Sequence, residues 1–301
     1  MGIGRGGWRW LLVLLVAQAW SFTGPIAGEP VAVVTTEPAL PAAASAAVPG
    51  PAAAGDAASP GTGAAGWPGG LDLAAMEKIL AAAEKVRQEK IPEALTKKRG
   101  PFDKGNYDPN RHLAAFPALR LEPGKTLDFV YDLQELGGHP VVYARPATAT
   151  PFASLAEFKK ENPRRYFLGD PVRFQPQYLP AIQADGTPDG FLQLAMLVLT
   201  SEQFYIFWHA SYYVLWPVID RPTLDDIVKT TIPPDLQASA TALDVTPHVA
   251  MATDSVAVDY VVFTPWGGFK RIFWTVSRVF PHRFLGVREE VILKYESRIR
   301  F

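Results

Sequence analysis

Apolar and polar positions alternate with a period of two along much of the chain. Leu127, Phe129, Tyr131 and Leu133 alternate with Thr126, Asp128, Val130 and Asp132, which predicts a half-buried strand. Gly137-Gly138 then turns the chain into a partner strand over 139–145. Residues 191–200 are apolar on both faces and predict a central strand, followed by strands over 203–209 and 212–219. The C-terminal third predicts a meander of 255–263, a Pro-Trp-Gly-Gly turn, 269–278 and 288–301. Short turns between such runs favour antiparallel pairing.

Helical spacing is confined to a few places. Met76, Ile79, Leu80, Ala83 and Val86 form one stripe over 73–90. Asp72 is placed to cap it, Leu71 to pack on Met76, and Pro92 to close it. Ser154-Leu-Ala-Glu157 and Thr223-Leu-Asp-Asp226 read as capping boxes, the first for a helix closed by Asn162-Pro163 and the second for one ending before Pro233-Pro234. The pattern therefore predicts an α+β fold: one domain with a large antiparallel β-sheet of meanders and hairpins, and a few short helices on one face.

Composition divides the 301 residues further. Residues 28–70 contain 14 Ala, 8 Gly and 7 Pro and no Lys or Arg, the make-up of a disordered, flexible linker. Gly61-Thr-Gly63-Ala-Ala-Gly66 lies inside it and matches a dinucleotide fingerprint by letter only. Pro60 before it and Trp-Pro-Gly-Gly after it deny the strand and helix that such a site needs. Thirty of the 35 aromatic residues lie in 101–301. The expected order is thus the linker, an amphipathic helical segment over 71–99, and one globular α+β domain over 100–301.

Arg5 and Arg9 precede the apolar run Trp10–Val16 and the small-x-small site Ala17-Gln-Ala19. This is the layout of a secretory signal peptide, 1–19, cleaved after Ala19. Residues 10–27 carry no charge, so an uncleaved segment to about residue 27 is long enough to anchor the chain in the inner membrane. The expected location is periplasmic or extracellular, with membrane proximity through that segment as the variant.

Charge and residue types narrow the chemistry. With 29 Lys+Arg against 30 Asp+Glu, net −1, the chain lacks the basic balance of a nucleic-acid binder. There is no cysteine, hence no disulfide, thiolate ligand or thiol nucleophile. The five histidines, at 112, 139, 209, 248 and 282, show no metal-ligand spacing, and no hydrolase, phosphate-loop or calcium-loop motif occurs. Neither a metal nor a cofactor is expected. Asp185 and Asp189 are explained by their turn, and Asp225 and Asp226 by a first helical turn. The basic stretch 269–301, eight Lys/Arg against three Glu, reads as a solvated sheet face.

The densest feature is the aromatic run Phe204–Trp216. Phe204, Phe207 and Trp208 read as core. His209, Tyr212, Tyr213 and Trp216 form the candidate ligand-binding set, with the rings holding an apolar or ring-containing ligand and His209 as its polar handle. Near the C-terminus, Val291, Leu293, Tyr295, Ser297, Ile299 and Phe301 alternate with Glu290, Lys294, Glu296, Arg298 and Arg300, with Ile292 as the exception. This terminal phenylalanine strand resembles the closing strand of bacterial outer-membrane barrels, over about a dozen residues; an ordinary edge strand accounts for it equally.

These features predict an exported bacterial envelope protein: a non-catalytic binding or interaction domain on a flexible tether, its partner a small ligand or another envelope protein. The alternatives are an exported enzyme with a site near His209 and an outer-membrane-associated structural component.

Overall fold

The computed structural model describes residues 70–89, 91–96, 105, 107–134, 137–162, 176–207, 211 and 214–295. The expected signal peptide over 1–19, the Ala/Pro/Gly tract before Gly70 and residues 296–301 lie outside them, as do Trp208, His209, Tyr212 and Tyr213.

Among the described residues are seven α-helices and nine strands. They are α1 (Leu73–Arg87), α2 (Glu93–Thr96), α3 (Pro109–Leu113), β1 (Leu119–Leu121), β2 (Lys125–Gln134), β3 (Gly137–Pro146), α4 (Leu155–Glu161), β4 (Ile182–Ala184), α5 (Pro188–Thr200), β5 (Trp216–Val218), α6 (Arg221–Thr230), α7 (Pro234–Thr241), β6 (His248–Met251), β7 (Ser255–Thr264), β8 (Gly268–Ser277) and β9 (Phe284–Lys294). All strand pairs are antiparallel. β1 pairs with β4 and β2 with β3, while the main sheet runs β5-β7-β8-β9 with β6 also on β7. The α+β fold and the C-terminal meander are as the pattern predicts.

The β2–β3 hairpin pairs from Lys125↔Pro146 to Gln134↔Gly137, so Gly137 and Gly138 belong to the strand rather than the turn. Gly138 has a second reason to be glycine: a Cβ there would lie 2.6 Å from the Tyr131 ring. The bare backbone lets Tyr131 cross it and lets Gly138 exchange two main-chain hydrogen bonds with Phe207, at 3.3 and 3.1 Å. On the other face of the hairpin, Val130, Val141 and Tyr143 bury Phe158 of α4. Ser154 caps that helix by accepting from Glu157 N, while the Glu157 carboxylate accepts from Ala153 N.

Residues 191–200 are helical, correcting the predicted strand. An apolar run reads alike for a buried strand and a buried helix. Here Thr187 Oγ1 accepts from Gly190 N at 3.0 Å and Pro188 occupies the first turn, both start signals for a helix. Leu, Ala, Met and Gln then favour helix over strand. α5 is apolar nearly all round because it is buried nearly all round.

Four smaller corrections share one cause, local geometry overriding pattern. Over 203–207, the described part of the strand predicted for 203–209, the only β-pairing is the Phe207 bridge to Gly138, because Tyr205 takes a left-handed φ of 51°. Of the strand expected over 212–219, the described residues 214–219 form only the three of β5. α6 is capped by Asp220, which accepts from Thr223 N at 2.7 Å, so Thr223 lies inside the helix and Thr223–Asp226 is no capping box. α1 ends at Arg87, before Pro92.

Helices cover both faces of the main sheet, not one. Val256, Val258, Tyr260 and Val262 of β7 face the core that holds α5 and the apolar stripe of α1. The alternate residues Val261 and Phe263 face Leu224, Ile227 and Val228 of α6 and Ala240 of α7.

Candidate functional site

Of the four residues singled out for ligand binding, the described structure places Trp216. It lies half-buried in β5, its ring tilted 46° against Phe263 with centroids 5.7 Å apart, on the core beneath α6 and α7. His209, Tyr212 and Tyr213 fall outside the described residues.

A different cluster gathers buried polar groups. It forms where α1 crosses α3 and the C-terminal end of α5. The side chain of Arg87, in the last turn of α1, is only 11% exposed. Its Nε donates to Glu84 Oε2 at 2.8 Å and its Nη2 bonds the same oxygen. Its Nη1 is buried and, among the described residues, has no acceptor.

Tyr107 stacks on Phe204 with centroids 3.4 Å apart and meets Phe129 edge-on at 6.0 Å. Its hydroxyl is likewise buried without a partner. Burial pushes this phenol well above its ordinary pKa, against the opposing pull of the Arg87 charge. Asp108 caps α3 through Asn110 N at 2.8 Å, fixing Tyr107 two residues before the helix begins.

His112, on α3, completes the cluster. Its Nε2 lies 3.0 Å from Thr200 Oγ1, and that hydroxyl donates to Met196 O at 2.7 Å. The Thr200 oxygen is thus left to accept from Nε2–H. Burial, then the Arg87 charge, lower the imidazole pKa to about 3, while the Ala83 carbonyl works the other way. His112 is a neutral ring at physiological pH and too weak a base for proton abstraction. Nearby, Tyr178 OH and Ser201 Oγ share a hydrogen bond of 2.5 Å.

Tyr205 closes the aromatic wall beside Tyr107 and Phe204. Its left-handed backbone is costly for a bulky residue; the Tyr131 hydroxyl, donating to Tyr205 O, holds it there.

Other candidate chemistry resolves into structure. Asp185 accepts from Thr187 N and Oγ1, and Asp189 from Asp72 N at 3.0 Å. Asp225 pairs with Arg221 at 2.8 Å. In the basic stretch, Arg271 pairs with Asp259 and Lys270 with Glu289. Among the described residues no three His, Asp or Glu side chains form a metal-binding group, and no helix is long and apolar enough to cross a membrane.

The sequence hints at this cluster only in part. Asp108-Pro109 is a readable helix start, but Arg87 reads as a dipole cation and Tyr107 has no periodic neighbour. Two buried donors without acceptors among the described residues thus lie beside stacked rings and a neutral imidazole. No known family, curated protein or solved structure matches the chain.

Proposed function

We propose that the chain is an exported, non-catalytic binding domain of the bacterial envelope, carried on its Ala/Pro/Gly tract, with the Arg87–Tyr107 cluster as its ligand site. The observation that carries this reading is the pair of buried donors, Arg87 Nη1 and Tyr107 OH, that lack acceptors among the described residues. Each unmade buried hydrogen bond costs about 1–3 kcal/mol, and a ligand supplying acceptor oxygens removes that cost. The neutral His112, bonded to Thr200, supports binding over acid–base catalysis. The basic start, apolar run and small-x-small site of residues 1–19 support export.

Native mass spectrometry of the full chain, recovered from the envelope fraction of its host cells, tests both parts. A bound small molecule present on the wild type and absent from Arg87→Met is the expected result. Recovery in the cytoplasm overturns the export reading. A wild type without added mass, or one whose added mass survives Arg87→Met, overturns the site.

A further inference from the structure

β9 is the outermost strand of the main sheet, eleven residues long, and over 285–293 no described strand pairs with its outer side. Long open edges are templates for another strand, and proteins normally blunt them. This one is not hidden: Leu285 is 52% exposed and Val291 53%. Register shifts between Phe269/Lys270 and Thr275/Val276 bracket a regular stretch over 286–291.

The order of residues in that stretch is self-complementary. In a two-fold antiparallel pair of identical strands, outward-pointing main-chain groups recur on alternate residues, so the axis must pass through a residue that faces its own copy. With the axis at Glu289, Arg288 faces Glu290 of the second copy, and Glu290 faces Arg288. Val287 then faces Val291, and the two valines extend the apolar face on which Val287 already packs. An axis at Arg288 would instead set Val287 against Glu289, and one at Glu290 would set Arg288 against Ile292. Glu289, the one residue opposite itself, has its charge offset by Lys270, whose Nζ lies 3.0 Å from the carboxylate. Arg288 and Glu290 have side chains 61% and 55% exposed, open to exchange their own 3.4 Å pairing for the intermolecular one.

The geometry points to a second copy of this chain as the occupant of the β9 edge: an isologous dimer, centred on Glu289, that joins two five-stranded sheets into one. This surface is separate from the Arg87–Tyr107 cluster and does not rest on the function proposed for it.

The absence of cysteine from the sequence makes the register directly readable. Residues facing each other across antiparallel strands lie within disulfide reach. Under mild oxidation of the full chain, Glu289→Cys cross-links to a covalent dimer. Val287→Cys and Val291→Cys do not cross-link alone but do so when mixed. Sedimentation of the uncross-linked chain shows a dimer, and Glu290→Arg raises its dissociation constant at least about tenfold by setting arginine against arginine. Adding Arg288→Glu to Glu290→Arg restores the complementary pair and the dimer. A monomer at all concentrations, open-ended aggregates, equal cross-linking at 287 and 289, or no rescue by the double swap overturns the proposal.

Discussion

Ala184 donates its main-chain N–H to Nε2 of His282 across 98 positions of chain, at 3.2 Å. The other ring nitrogen, Nδ1, lies 2.9 Å from Ser277 O, so it carries the proton and the imidazole is satisfied on both sides only when neutral. One ring thereby ties the small β1–β4 sheet to the end of the β8–β9 meander. Burial lowers its pKa, as it does that of His112.

Acid therefore destabilises the fold through these two rings. Both are held below the ordinary value of about 6.5, so the unfolded chain takes up protons first as pH falls. Their contribution is complete above about 6.5 and drains below it, for His112 down to about 3. Each contributes at most about 1.4 kcal/mol per pH unit. In denaturant titrations at pH 7.5 and 5, His112→Gln should shrink the difference between the two conditions by about 2 kcal/mol. An unchanged difference would show that His112 titrates normally.

Removing an unpaired donor should stabilise the unliganded domain. Tyr107→Phe keeps the ring stacked on Phe204 and deletes the buried hydroxyl. Thermal melts should rise, corresponding to about 1 kcal/mol, while the added mass seen by native mass spectrometry disappears. A fall in melting temperature would mean that the hydroxyl is already satisfied.

Gly268 should tolerate no side chain. It has φ +85°, and a Cβ would lie 2.2 Å from Leu293 O, a main-chain atom that cannot swing aside. Gly268→Ala should cost about 2 kcal/mol or more, read as a lowered denaturation midpoint. Gly286→Ala, with nothing near its Cβ, is the control and should stay within about 0.5 kcal/mol.

Trp216 should behave as a packing residue. Trp216→Ala removes its contact with Phe263 above the α6–α7 core and should cost about 2 kcal/mol, less than full burial would imply. Ligand retention in the folded variant should match the wild type. Loss of ligand without loss of stability would return Trp216 to the binding site.

The sequence is most informative where one face of an element is wet. The β2–β3 alternation and the β7–β8–β9 meander are legible because solvent and core impose opposite demands on neighbouring residues. α5 is not, because a fully buried segment loses its period; only Thr187-Pro188 at its start carries the helical signal. The site is the least legible part. Arg87, Tyr107 and Phe204 are far apart in the chain, and none lies in a motif. Tyr205 shows why the aromatic run misleads: a single left-handed residue ends the alternation that would make it a strand.

The core that buries Met76 near one end of the described chain also buries Phe284 near the other. The apolar stripe of α1 closes on α3 and α5, so its own docking surface is complete once the chain has reached Thr200. Phe284 belongs to the far side of the same core, which the β8–β9 meander supplies. One core thus ties the first described helix to the last described strand.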